Sequence, residues 1–107
     1  MTIEKFSSGL SLVIPVFNEI NGIDSSLAAI EKLIELIDFP IEVLVVNDGS
    51  SDGTEKVLNT LEKNTTDIKV IHHPYNRGYG AALKTGIKNA KYNYIAITDA
   101  DETYPNE

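Results

Sequence analysis

Ile41-Glu42-Val43-Leu44-Val45-Val46, followed by Asn47-Asp48-Gly49-Ser50-Ser51-Asp52-Gly53, is the stretch that decides the fold. Its first half is a short, nearly continuous apolar run rich in β-branched residues. Such a run reads as a strand buried on both faces, the mark of a parallel sheet. Its second half is a run of turn formers. Working outward, Leu10-Ser11-Leu12-Val13-Ile14 is a similar strand, ended by Pro15. Between the two strands, Ile23, Leu27, Ile30, Ile34 and Ile37 recur at helical spacing, with Glu31, Lys32 and Glu35 off that face. Asn21 is the expected N-cap, with Asp24 three residues on, and Pro40 is the expected stop. Downstream, Asp52 and Glu55 form a capping-box-like pair ahead of Val57, Leu58 and Leu61, the apolar face of a second helix. Residues 68–72 read as a third strand. Residues 81–91 read as a third helix with Leu83, Ile87 and Ala90 inward, and residues 94–98 as a fourth strand.

The order βαβαβαβ predicts an α/β fold, a parallel sheet with helices on both faces, Rossmann-like. The 107 residues suffice for one domain. The expected division is an N-terminal extension over 1–9 and the domain over 10–107. Ligands of such sheets bind beyond the carboxyl ends of the strands, where all four polar loops lie. The sequence runs only from Asp99 to Glu107 after the last strand. The expectation is therefore an unfinished site and an open sheet edge, completed by a second half or by another copy of the chain.

Charge excludes several classes. Lys and Arg number 9 against 16 Asp and Glu, a formal net charge of −7. That balance argues against nucleic acid and against docking on anionic lipid through a basic patch. With no cysteine, there is no disulfide, thiolate metal site or Cys nucleophile. The apolar-leaning stretch 27–46 carries Glu31, Lys32, Glu35, Asp38 and Glu42, too many charges for a membrane helix. Residues 1–6 lack the apolar run of a signal peptide. The expected location is cytoplasmic, extending to the cytoplasmic face of a membrane.

Asp99-Ala100-Asp101 is the strongest local chemical feature. Residues i and i+2 of an extended segment point the same way, so both carboxylates can face one point. Their mutual repulsion favours a divalent cation, and hard oxygen donors suit Mg²⁺ or Mn²⁺. A solvated acidic turn is the plainer alternative. Asp48 ends the second strand, where its carboxylate can accept from a base or ribose donor; an Asx-turn is the plainer reading. Phe17, Asn18 and Glu19 follow the first strand and offer a ring for stacking and an acid for a ribose or base donor. A helix-entry loop is the alternative there.

Arg77-Gly78-Tyr79-Gly80 precedes the third helix, where glycines let a backbone approach a phosphate. Gly78-x-Gly80-x-x-Leu83 is a defective dinucleotide fingerprint and follows the wrong strand for an NAD site. The adjacent His72 and His73 point to opposite sides and do not readily share a metal, so both read as loop histidines. Tyr92, Tyr94 and Tyr104 read as packing residues. Ser50 and Ser51 have no acid–base partner close by, which leaves a serine hydrolase little support.

Four stretches in order carry a resemblance. Pro15-Val16-Phe17-Asn18-Glu19, Asn47-Asp48-Gly49-Ser50-Ser51-Asp52-Gly53-Thr54, Asn76-Arg77-Gly78-Tyr79-Gly80-Ala81-Ala82 and Asp99-Ala100-Asp101 resemble the family 2 inverting glycosyltransferases. The dolichyl- and polyprenyl-phosphate sugar transferases are the most similar branch. The resemblance implies the nucleotide-binding half of a GT-A fold, with a GDP- or UDP-linked sugar as donor and Mg²⁺ or Mn²⁺ as cofactor. It implies that Pro15, Phe17 and Glu19 hold the nucleoside, that Asp48 reads the base, and that Val46 lines the same pocket. It also implies that Asp99, Ala100 and Asp101 meet the diphosphate, with Asp99 and Asp101 on the metal. Arg77 joins the expected donor-binding set. A polyprenyl phosphate is the expected acceptor.

Three departures bear on these expectations. Asn47 stands where the family has an acid, which is expected to disturb the turn more than the nucleotide. Phe17 replaces a Tyr. Glu102 and Thr103 replace the Leu-Gln of the lipid-phosphate branch. A non-catalytic module that binds nucleotide sugars or a partner chain is the second reading.

Overall fold

The computed structural model describes residues 6–99. Four strands and three helices alternate: β1 (Phe6–Val16), α1 (Ile23–Glu35), β2 (Ile41–Asn47), α2 (Thr54–Asn64), β3 (Ile68–His72), α3 (Tyr79–Asn89) and β4 (Tyr92–Ile97). All pairings are parallel, in the order β3-β2-β1-β4.

Handedness distributes the helices. The crossovers β1-α1-β2 and β2-α2-β3 step the same way along the sheet, so right-handed connections put α1 and α2 on one face. The chain then returns past β2 and β1 to lay down β4, and the same handedness puts α3 on the other face. The core divides accordingly. Ile14, Val16, Val43, Val45 and Ile68 pack with Ile23 and Leu27 of α1 and Leu58 of α2, while Val13 and Leu44 pack with Leu83 and Ala90 on the α3 side. Each fully buried Leu or Ile here stabilises the fold by about 1.5–3 kcal/mol.

Several local expectations shift. β1 begins at Phe6, ahead of the expected start at Leu10, so residues 6–9 join the sheet. The register slips between Phe6 and Leu10, and Gly9 leaves room for the Tyr92 ring, which a Cβ at that position would strike. β1 also runs through Pro15. Backbone groups alternate sides along a strand; the Val16 carbonyl accepts from Asp48 N on the β2 side, and the Val13 carbonyl from Thr98 N on the β4 side. Pro15 therefore turns its missing N–H toward β4, beyond the last paired residue on that side, and no ladder bond is lost.

The N-cap of α1 is Gly22 rather than Asn21, because the Glu19 carbonyl already takes the N–H groups of Gly22 and Ile23. The helix ends at Glu35, well before Pro40, and leaves Ile37 partly exposed. In α3 the inward residues are Ala82, Gly86 and Ala90, with Leu83 at the margin and Ile87 exposed. A Cβ at Gly86 would overlap Val13, so α3 lies unusually close to β1 and turns its smallest residues inward. β4 is the edge strand among the described residues and exposes Tyr94, Ile95 and Ile97, contrary to the expected burial of the fourth strand. Tyr94 is thus no packing residue within the described chain, whereas Tyr92 lies against Gly9.

Candidate functional site

Strand order reverses between β1 and β4, and an α/β sheet opens a crevice at such a point. A cleft of about 490 Å³ lies there, lined by Pro15, Val16, Phe17 and Glu19 after β1, Asp48 after β2, Asn76, Gly78, Tyr79 and Ala82 around the start of α3, and Asp99 after β4. All four strand ends contribute. The size suits one nucleotide-sized ligand.

The wall made by the β1 and β2 loops is stitched by hydrogen bonds. Asn18 N donates to Ser50 Oγ at 2.9 Å and Ser51 N to Asn18 Oδ1 at 2.8 Å. Asn18 sits at φ 53°, a left-handed conformation that Asn tolerates better than most residues. Glu19 N donates to Thr54 Oγ1 at 3.1 Å and Ile20 N to Asp52 Oδ2 at 3.1 Å. Asp52 precedes the α2 N-cap, Gly53, and accepts from the N–H and hydroxyl of Thr54 at 3.1 and 2.6 Å, in place of the expected capping box with Glu55. The Thr54 hydroxyl, with the N–H groups of Thr54 and Ile20, holds the Asp52 carboxyl below its ordinary range.

The β2 end is organised by two neighbours that face opposite ways. Asn47 accepts from Ser50 N at 3.2 Å and bonds His72 Nδ1 at 2.9 Å, and His72 Nε2 meets Asn59 Oδ1 at 2.9 Å. The amide therefore fixes the turn that its replacement of an acid was expected to disturb. Asp48 is buried and takes four donors. His73 Nδ1 and Arg77 N donate to Oδ1, each at 2.8 Å; Gly78 N and Asn76 Nδ2 donate to Oδ2 at 2.9 and 3.1 Å. Burial pushes this carboxyl up, but the hydrogen bonds from His73, Arg77 and Gly78 outweigh it and hold the group below its ordinary range. Gly49 is required beside it: φ is +72°, and a Cβ would run into the Tyr75–Asn76 backbone.

The expected site residues divide into three groups. Pro15, Phe17, Glu19, Asp48 and Asp99 converge on the cleft. Val46 is fully buried and is not in its wall. The Arg77 side chain lies in a neighbouring groove with Lys84 and Lys88, so what this residue gives the cleft is its backbone N–H on Asp48. Ala100, Asp101, Glu102, Thr103 and Tyr104 lie outside the described residues. Sequence reasoning passed over Asn76 and Tyr79, which line the cleft, and His73, whose partners Asp48 and Thr85 stand 25 and 12 residues away.

The donor set fits a metal shared with a ligand. Among the described residues, no three His, Cys, Asp or Glu side chains gather into an all-protein cage. Asp99 presents an exposed carboxylate at the cleft, and Mg²⁺ and Mn²⁺ take one or two such groups together with substrate phosphates. The charged side chains lining the cleft, Glu19, Asp48 and Asp99, are all acidic, so a phosphate-bearing ligand entering it needs a cation beside it.

A parallel α/β sheet with its cleft at the switch point, walled by an aromatic ring, glycine-bearing turns and a strand-end carboxylate, defines a Rossmann-like domain. The chain belongs to glycosyl transferase family 2, whose model matches residues 11–107. A mannosyltransferase from Pyrobaculum calidifontis, solved in complex with GDP-Man and Mn²⁺, superposes with a TM-score of 0.77 at 27% identity over 94% of this chain and 30% of that one. The poly-beta-1,6-N-acetyl-D-glucosamine synthase of Staphylococcus epidermidis is 35% identical over 94 residues, 87% of this chain and 22% of that protein. A prophage bactoprenol glucosyl transferase homolog of Escherichia coli is 34% identical over 100 residues, 92% of this chain and 32% of that protein. The chain thus spans between 22% and 32% of the length of these curated relatives.

Proposed function

We propose that the chain is the donor-binding part of a family 2 glycosyltransferase that takes a GDP- or UDP-linked sugar with Mg²⁺ or Mn²⁺. The observation that carries this is the cleft at the β1–β4 switch point, lined from all four strand ends, in a chain whose family model covers residues 11–107. The similar mannosyltransferase complex with GDP-Man and Mn²⁺ supports the donor class and the metal. In this reading Phe17, with 45% of its surface exposed at the cleft, offers a face to the base, and Pro15 and Glu19 complete the nucleoside end. Following the family resemblance, Asp99 and Asp101 would hold the metal, and Ala100 would meet the diphosphate. When bound, the cation neutralises charge that grows on the diphosphate as the sugar bond breaks. Likeness to the bactoprenol glucosyl transferase homolog supports a polyprenyl phosphate acceptor. Such a phosphate is already an anion and needs less help from a base than a hydroxyl does.

Calorimetric titration of the chain with GDP, UDP and NADH, each with and without Mn²⁺, tests the reading. Metal-dependent binding of one nucleoside diphosphate, lost in Asp99→Asn, is the expected result. Metal-independent binding of NADH, or no binding by a folded chain, contradicts it.

A further inference from the structure

The net charge of −7 conceals a division between the two faces of the sheet. Residues 68–98 contain Lys69, Arg77, Lys84, Lys88 and Lys91 and no Asp or Glu. The fold turns that sequence asymmetry into a spatial one. α1 and α2, with five acids against three lysines, cover one face, and α3, with lysines and no acid, covers the other. Lys84 and Lys88 stand one helical turn apart and share a groove of about 420 Å³ with the Arg77 side chain. That groove runs along the outside of α3, away from the buried Ala82, Gly86 and Ala90. Lys69 pairs in register with Leu44, which packs on the α3 side, so Lys69 points to that side as well. These four cations are exposed, and none has an acidic partner among the described residues. Glu42, the acid of β2 on this side, is buried against Ser11 Oγ and Lys91 N.

We propose that the outer face of α3 docks on an anionic lipid surface through Arg77, Lys84 and Lys88. Net charge argues against such docking, but its distribution over the fold restores it for this one face. The shortest principal extent of the molecule is 27 Å. The Debye length at physiological salt is about 8 Å, so acids across the sheet on α1 and α2 do not cancel the field of the α3 face. Unpaired cations also make this face a poor packing surface for further protein, since burying them without partners is costly. A flat headgroup layer matches a stripe along the outside of one helix. A nucleic acid laid along α3 would instead run on into the acidic cleft, against Glu19, Asp48 and Asp99. α3 begins at that cleft, which Gly78 and Tyr79 line, so docking holds the donor site beside the membrane. The polyprenyl phosphate acceptor proposed above is a membrane lipid; the purpose of the docking rests on that reading, and the docking itself rests on charge.

Sedimentation with phosphatidylcholine vesicles, with and without phosphatidylglycerol, measures the docking in the absence of nucleotide. The unmodified chain is expected to bind only the vesicles that contain phosphatidylglycerol, and to leave them at ~1 M salt, where the Debye length is about 3 Å. Each Lys or Arg near an anionic surface strengthens binding about fivefold, so Lys84→Gln/Lys88→Gln is expected to weaken it about 25-fold. Lys56→Gln/Lys63→Gln makes the same change of net charge on α2 and is expected to weaken it about twofold at most. All four lysines are exposed, so both double variants are expected to fold as the unmodified chain does. Equal effects of the two double variants overturn the proposal. So do equal binding to phosphatidylcholine alone, binding that persists in high salt, and no binding to either vesicle. Binding of single-stranded RNA in place of vesicles, or self-association through this face in their place, also overturns it. Nucleotide is titrated separately: if the unmodified chain binds neither GDP nor UDP with Mg²⁺, the proposed function fails, and the vesicle result still decides the docking.

Discussion

Replacing Asp48 by Asn keeps the size of the side chain and removes its charge. The carboxylate accepts four hydrogen bonds, two on each oxygen. An amide keeps one oxygen and turns the other position into a donor. Whichever way the amide is placed, one pair of protein donors faces an NH₂ group. With each lost bond to a charged group worth about 1.5–3 kcal/mol, and partial relaxation of the exposed loop, the loss comes to about 3 kcal/mol. For a domain of this size that lowers the melting temperature by roughly 15 °C.

The loss must also depend on pH. The Asp48 carboxyl is held below its ordinary value of 3.8 in the folded chain. Its contribution is therefore complete above that value and is lost as pH falls through the lower folded value. Urea denaturation of both proteins at pH 7, 5, 4 and 3 measures the gap. It should stay near its full size down to pH 5 and narrow below pH 4. A gap under about 1 kcal/mol at pH 7, or one that widens in acid, refutes the hydrogen-bond account.

Further outcomes follow from other parts of the fold. Glu42 is buried and its Oε2 accepts from Ser11 Oγ at 2.6 Å and Lys91 N at 2.7 Å, so Glu42→Ala should lower stability by about 3 kcal/mol in denaturant titration. Gly86→Ala should destabilise by about 1–3 kcal/mol despite alanine's better helix propensity, because the added methyl meets Val13; a rise in melting temperature would show that α3 can move off the sheet. Phe17→Ala should leave the melting temperature within about 2 °C, since the ring is half exposed, yet weaken nucleoside diphosphate binding about tenfold by calorimetry. Leu27→Ala, in the α1 face of the core, should destabilise by about 2–5 kcal/mol by the same denaturant assay.

What the sequence made legible was what local pattern records. β3 falls on the residues expected of it, and β2 extends the expected strand by Asn47 alone, because apolar runs flanked by turn formers leave few choices. Helices on both faces follow from the order of elements and from handedness, and the two separate core clusters bear them out. The cleft lies among the strand-end loops: Phe17, Glu19, Asp48 and Asp99, singled out from those loops, line it, as does Pro15, which only the family resemblance singled out.

What stayed hidden depends on contacts between distant residues. Ile87 looks inward by spacing, but the close approach at Gly86 rotates α3 and leaves it in solvent. Residues 6–9 carry no strand pattern and join the sheet through pairing with Tyr92. Residues 94–98 read as a strand and Tyr94 as a packing residue, yet the place of β4 at the edge of the described sheet exposes Tyr94, Ile95 and Ile97. His73 carries no local sign of its role, since both of its partners arrive from other elements.

The central claim is that a nucleoside diphosphate occupies the β1–β4 cleft, and amide chemical-shift mapping tests it most directly. The ¹⁵N-labelled chain is titrated with GDP or UDP in the presence of Mg²⁺. Saturable shifts are expected at Val16, Phe17, Glu19, Asp48, Gly78, Tyr79 and Asp99, with the far surface around Asp24, Lys56 and Leu61 unmoved. Shifts centred on the Arg77, Lys84 and Lys88 groove instead, or none at millimolar nucleotide, would contradict it.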